Sequence, residues 1–138
     1  MNIVLRKVLA VILGWLIGSV INMSLVQLGH FVFPIEGLDA NDMDALSKVM
    51  PTLSNEYFIF PFLAHAIGTF AGALVAALIV LNHKMRFALI IGSLFLIGGI
   101  IVNTLIPAPL WFKITDLVLA YIPMAFLAGF LAKKLKRN

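Results

Sequence analysis

Cysteine is absent from the 138-residue chain. That excludes disulfides, thiolate metal sites and thiol redox chemistry, including the quinone-linked thiol relays of some four-helix membrane enzymes. Charge is scarce too. Charged residues make up 12% of the chain against 62% apolar ones, and mean hydropathy is +1.09. A water-soluble domain of this size would leave too much of that apolar surface exposed. Acids are the rarest charges: Glu36, Asp39, Asp42, Asp44 and Glu56 share one segment, so Asp116 is alone within an apolar run. No metal-ligand spacing, phosphate loop, nucleophile elbow or catalytic carboxylate pair occurs, so neither enzymatic activity nor a cofactor or metal is expected. The formal charge of +4 does not point to nucleic acid, because the basic residues sit at the ends of apolar runs rather than on one patch.

What the chain does have is four long apolar runs, over 8–28, 57–81, 87–106 and 110–132. Roughly 20 mainly apolar residues cross about 30 Å of hydrocarbon as a helix. Each run is therefore read as a span, and the whole of 1–138 as a single integral membrane domain. The first run follows Arg6 and Lys7 as a secretory signal would, but it is longer than a signal core and lacks a small-x-small cleavage site, so it is expected to be retained.

Basic residues set the orientation, because cytoplasmic flanks carry their excess. Arg6 and Lys7, Lys84 and Arg86, and Lys133, Lys134, Lys136 and Arg137 fall on one side. Only Lys48 and Lys113 fall on the other, beside the acidic loop of 34–56. Both termini are thus expected in the cytoplasm. Phe31 and Phe33, Tyr57, Phe58, Phe60 and Phe62, and Trp111 and Phe112 mark the outer boundary, whereas Trp15 is placed about 12 Å into the core by a rise of 1.5 Å per residue. Within the loop, Asp39 or Asn41 is expected to cap a short helix with Asp42 and Asp44 at the positive end of its dipole. Met43, Leu46, Val49 and Met50 form its apolar stripe and Pro51 stops it. It would lie on the bilayer surface, plug the outer mouth or act as a lid. The predicted fold is an all-α membrane protein, a four-helix transmembrane bundle with a short interfacial helix in the outer loop between helices 1 and 2.

Small residues mark where these helices approach. Ala64, Gly68, Gly72 and Ala76 recur at four-residue spacing in the second span, flanked by Ala73 and Ala77. Gly14 and Gly18 match them in the first span, and Ala125, Gly129 and Ala132 more loosely in the fourth. Such stripes drive association in lipid, where dispersion replaces the hydrophobic effect. They serve either packing within the bundle or contact with a second copy or another membrane protein. Ile17-Gly18-Ser19 recurs as Ile91-Gly92-Ser93, and Ala71-Gly72 as Ala128-Gly129, as chance or a parallel duplication would produce.

Sorted by depth, each span contributes one polar residue to a layer in the outer half: Asn22, His65, Asn103 and Asp116, with Thr69 one turn below His65 and Thr104 and Thr115 nearby. A carboxylate in hydrocarbon costs several kcal/mol unless paired, hydrated or protonated. Asp116 therefore needs a partner, for which His65 and Lys113 compete. Pro123 removes a backbone hydrogen bond inside the fourth span and is expected to bend it near Tyr121. His30 and His83 are expected at opposite membrane surfaces, away from His65.

Phe60-Pro61-Phe62-Leu63-Ala64-His65-Ala66 with Gly68-Thr69, and Pro107-Ala108-Pro109-Leu110-Trp111-Phe112 with Ala120-Tyr121-Ile122-Pro123-Met124-Ala125, resemble small bacterial four-span inner-membrane proteins of unassigned function. The resemblance implies the same topology and membrane but no substrate. Small multidrug transporters share the size, yet depend on a first-span carboxylate that this chain lacks. Two functions fit these residues. One is a structural or accessory protein that binds the lipid bilayer and associates with itself or a partner through the small-residue face. The other is a small transporter or channel-like binder of a small molecule, ion or proton, using His65, Asp116, Asn22, Asn103 and Thr69.

Overall fold

A computed structural model describes residues 2–39 and 42–135 of the chain; Asn41, Lys136 and Arg137 lie outside the described residues. In chain order the elements are α1 (Ile3–Val32), α2 (Met43–Val49), 3-10 turns over Met50–Thr52 and Asn55–Phe58, α3 (Ile59–Ile79), α4 (Lys84–Leu105), α5 (Leu110–Leu119) and α6 (Ile122–Leu135). No strand occurs among the described residues. Ile3–Val32, Asn55–Ile79, Lys84–Leu105 and Leu110–Leu135 are each long and apolar enough to cross a membrane, as in a multi-pass membrane protein. Their outer faces carry exposed Val20, Ile97, Leu105, Leu110 and Val118, which would be unfavourable in water and suit lipid.

α1, α4 and the α5–α6 span reach beyond their apolar runs because capping and charge, rather than hydropathy, end them, whereas α3 lies inside its run of 57–81. α1 begins five residues before Val8, where the Asn2 side chain accepts from Val4 N at 2.9 Å. Arg6 then donates from Nε to the Ile79 carbonyl at 2.5 Å, satisfying an orphan acceptor at the C-terminus of α3. His83 takes the left-handed conformation (φ 59°) that closes the tight turn into α4. In the α1–α3 loop the cap of α2 is Asp42, whose side chain accepts from Ala45 N at 3.0 Å. Asp42 thus fills the role expected of Asp39 or Asn41. Pro51 sits in the 3-10 turn that ends α2. The expected bend in the fourth span is a break: helix stops at Leu119 and resumes at Ile122, since Pro123 has no N–H to offer the Leu119 carbonyl. Trp15 faces outward, half exposed on α1.

The small-residue stripe is buried within the chain. A Cβ on Gly72 would stand 2.5 Å from Gly14 O and 3.2 Å from Gly18 Cα, and one on Gly18 would stand 2.7 Å from Gly68 O. α1 and α3 therefore touch backbone to backbone. Ala64, Ala73, Ala76 and Ala77 are fully buried. The face offered by sequence to a second copy or partner is thus already filled by α1 and the other spans.

The second hairpin packs in the same way. Gly92 faces Ala125 and Gly129 faces Ala88. One constant shift takes Gly14 to Ala88 and Gly18 to Gly92, and another takes Gly68 to Ala125 and Gly72 to Gly129. The contact pairs of α1 with α3 therefore recur, position for position, between α4 and α6, as a parallel tandem repeat of two hairpins requires.

Candidate functional site

Asp116 projects from α5 into the bundle and is completely buried. Its Oδ1 lies 2.8 Å from His65 Nδ1 on α3, and its Oδ2 accepts from the Tyr121 hydroxyl at 3.0 Å. Tyr121 lies in the break between α5 and α6, where its ring stacks on that of His65 with centroids 5.6 Å apart. Both carboxylate oxygens are thereby satisfied, which buried charge demands. The phenol fits because position 99 is glycine: a Cβ there would overlap the Tyr121 hydroxyl.

Lys113 does not reach the carboxylate. Its Nζ donates to the Asn103 carbonyl at 2.7 Å, one of the orphan acceptors in the last turn of α4. The Asn103 side chain donates from Nδ2 to Gly99 O at 3.0 Å, and its Oδ1 accepts from no group among the described residues. Thr104 and Thr115 bond back to carbonyls of their own helices, Ile101 O and Trp111 O. They stand outside the polar cluster.

Beside the His65–Asp116–Tyr121 group lies a cavity of about 430 Å³ at the α2 end of the bundle, within the range of small-molecule sites. Asn22 on α1, His65 on α3 and Asn103 on α4 all line it. Met43, Leu46 and Met50 of the α2 segment close it on the loop side, and Phe33, Tyr57 and Phe112 contribute aromatic wall. Rings at this end interlock around it: Phe33 with Tyr57 and Phe60, and Phe58 with Trp111 and Phe112.

Three of the four residues placed in one layer by sequence thus meet at the cavity, and the fourth, Asp116, stands behind His65 and holds it. Thr69 is not part of the wall. It is fully buried, and its hydroxyl has no hydrogen-bond partner among the described residues. His30, expected at the surface and apart from His65, lines the same cavity. Among the described residues no group of three or more His, Asp or Glu could hold a metal. Tyr121, His30 and Gln27, which also lines the cavity, were missed as site residues. For Tyr121 the available signal was a phenol in mid-span, which needs a partner when buried.

Among the described residues His65 makes no hydrogen bond other than that to Asp116. Its Nε2 and the Asn22 amide are therefore open groups on residues of the cavity wall. The arrangement offers a small number of hydrogen-bonding groups set in an apolar, aromatic and methionine-rich lining, with the imidazole locked in orientation from behind. No family model, curated protein or solved structure matches the chain.

Proposed function

We propose that this chain is a multi-pass protein of a bacterial inner membrane, with both termini cytoplasmic, that binds a small molecule in the cavity under α2. The observation that carries this reading is the convergence of Asn22, His65 and Asn103, from three different spans, on one cavity of about 430 Å³. A bundle needing polar residues only to fix helix register would pair them with each other across helices. Asn22 and His65 Nε2 instead have no partner among the described residues. The basic flanks support an orientation with this cavity in the outer half of the membrane and α2 as an interfacial helix over its mouth. The role is binding or carrying, without catalysis.

The test is native mass spectrometry of the protein released gently from its own membrane. A small molecule at one per chain is expected on the natural sequence and not on Val26→Trp, which fills the cavity from α1. The same adduct pattern on both would refute the reading. A structural or accessory role is the second reading. It is favoured by the satisfied Asp116 carboxylate and by the backbone contact of α1 with α3. Self-association would then have to use a surface other than the stripe of Gly68, Gly72 and Ala76, such as the face of α4 where Gly98 has open space beside it.

A further inference from the structure

We infer that the ligand is an amphiphile dissolved in the bilayer that reaches the cavity sideways, through a gap between α1 and α4, an inference that rests on the small-molecule reading above. The two spans meet at the inner levels: a Cβ on Gly14 would stand 3.2 Å from Ile91 Cδ1, and one on Gly18 2.8 Å from Phe95 Cζ. One constant shift links these pairs, and further out it carries Val26 to Asn103 and Gly29 to Ile106. At those levels all four residues are cavity wall, so space has opened between the helices. α1 stays against α3 there, since a Cβ on Gly29 would stand 2.5 Å from that of Phe60. It is from α4 that α1 parts.

Val102 shows that this gap reaches the surface of the bundle. It follows Ile91 and Phe95 on the same face of α4, to within about 20°. Ile91 and Phe95, against α1, are 0% and 8% exposed, but Val102, which also lines the cavity, is 43% exposed. The face that α1 covers at the inner levels is therefore uncovered further out. Met23 is the other edge, exposed on α1 and part of the same wall. In the proposed placement Met23 and Val26 lie about 10–15 Å below Phe33 along α1, which is acyl-chain depth in a hydrocarbon core about 30 Å thick. Wall atoms without neighbours forfeit dispersion contact, and what surrounds a gap at that depth is lipid chain. A bare chain would leave the polar wall unmet. Asn22 and Gln27 make no hydrogen bond among the described residues, and Asn103 Oδ1 accepts none. With the imidazoles of His30 and His65 they offer donors and acceptors together. The molecule that suits both parts has a hydrogen-bonding head in the cavity and an apolar chain trailing through the gap.

The thiol of Val26→Cys, in a chain with no other cysteine, reports entry by its alkylation rate in phosphatidylcholine vesicles. The reagents are N-dodecylmaleimide, which dissolves in the bilayer, and a sulfonated maleimide confined to water. Val102→Trp or Met23→Trp, from either edge of the gap, should slow alkylation by N-dodecylmaleimide about tenfold, as about 1.4 kcal/mol added to the entry barrier would. Leu53→Trp, on the loop side of the wall, should leave the rate unchanged. The thiol of Ile97→Cys, on the exposed face of α4, controls for reagent supply and should react alike with and without Val102→Trp. No slowing by either edge variant, or equal slowing by Leu53→Trp, overturns the lateral route and leaves the binding reading intact. On the natural sequence, which needs no variant to fold, the molecule bound at one per chain should pass into organic solvent when the protein is denatured. A molecule that stays in water overturns the inference alone. A Val26→Cys thiol that neither reagent reaches while Ile97→Cys reacts, with no bound molecule on the natural sequence, overturns both.

Discussion

Replacing Gly72 by alanine tests whether direct backbone contact holds α1 to α3. The added Cβ would sit 2.5 Å from Gly14 O and 3.2 Å from Gly18 Cα. Neither neighbour is a side chain that can rotate away, so the helices themselves must part by nearly 1 Å to restore ordinary contact at 3.4 Å or more. That separation also loosens the contact of Gly18 with Gly68 in the same crossing. Overpacking of this kind costs about 1–3 kcal/mol. Against it stands the helix preference of alanine over glycine, about 1 kcal/mol, so the net loss should be up to about 2 kcal/mol. Gly98→Ala is the internal control. Position 98 has no atom within 4 Å of its Cβ site, so the substitution keeps the helix gain, between about zero and 1 kcal/mol, with no clash. Both variants are compared with the natural sequence by reversible unfolding in mixed micelles, followed by circular dichroism. Equal stability of the two alanine variants would refute the packing argument. Gly72→Leu, with far more bulk at the same point, should prevent the bundle from forming.

Four further outcomes follow from the buried group and the charge pattern. Tyr121→Phe keeps the ring over His65 but removes the donor to Asp116 Oδ2, and should lower stability by about 1–3 kcal/mol in the same unfolding assay. Asp116→Leu, which strands both His65 Nδ1 and the Tyr121 hydroxyl, should cost about 3–5 kcal/mol; a loss below that of Tyr121→Phe would show that the carboxylate is not the centre of the group. Gly99→Ala should displace the Tyr121 hydroxyl, so that combined with Tyr121→Phe it destabilises by less than the sum of the two changes. For orientation, a membrane-impermeant maleimide should label Lys48→Cys on intact cells and Asn82→Cys only after permeabilisation, and the opposite pattern would invert the proposed topology.

The pairing of His65 with Asp116 was legible because a helix converts residue number into depth at 1.5 Å per residue, and a lone carboxylate in an apolar run has to find a partner at its own depth. Its third member was hidden by the break at Pro123. On an unbroken helix, residues five apart point about 140° away from each other, so Tyr121 and Asp116 would not share a face; the interruption between Leu119 and Ile122 changes that phase. Lys113 competed with His65 in the sequence for a related reason. Spacing of three residues brings it near Asp116 in sequence, but the last carbonyls of α4 lack helical partners, and the amine goes to Asn103 O. Arg6 does the same at Ile79 O, the end of α3. The cations that sequence analysis treats as markers of orientation are thus also closing helix ends. The stripe on α3 announced a close contact and Gly14 and Gly18 offered a matching groove, but the looser set on the fourth span competed with it, since small residues say only that something approaches. Position decides it: Gly14 meets Gly72 and Gly18 meets Gly68 in antiparallel order, and the same order recurs for Ala88 with Gly129 and Gly92 with Ala125. Two hairpins that pack by one rule leave the unmatched residues to account for the site. By the shifts that relate the hairpins, Asn22 corresponds to Leu96 and His65 to Ile122. The polar residues at the cavity are therefore where the repeat departs from itself, while the glycine and alanine contacts that build the bundle are where it is kept.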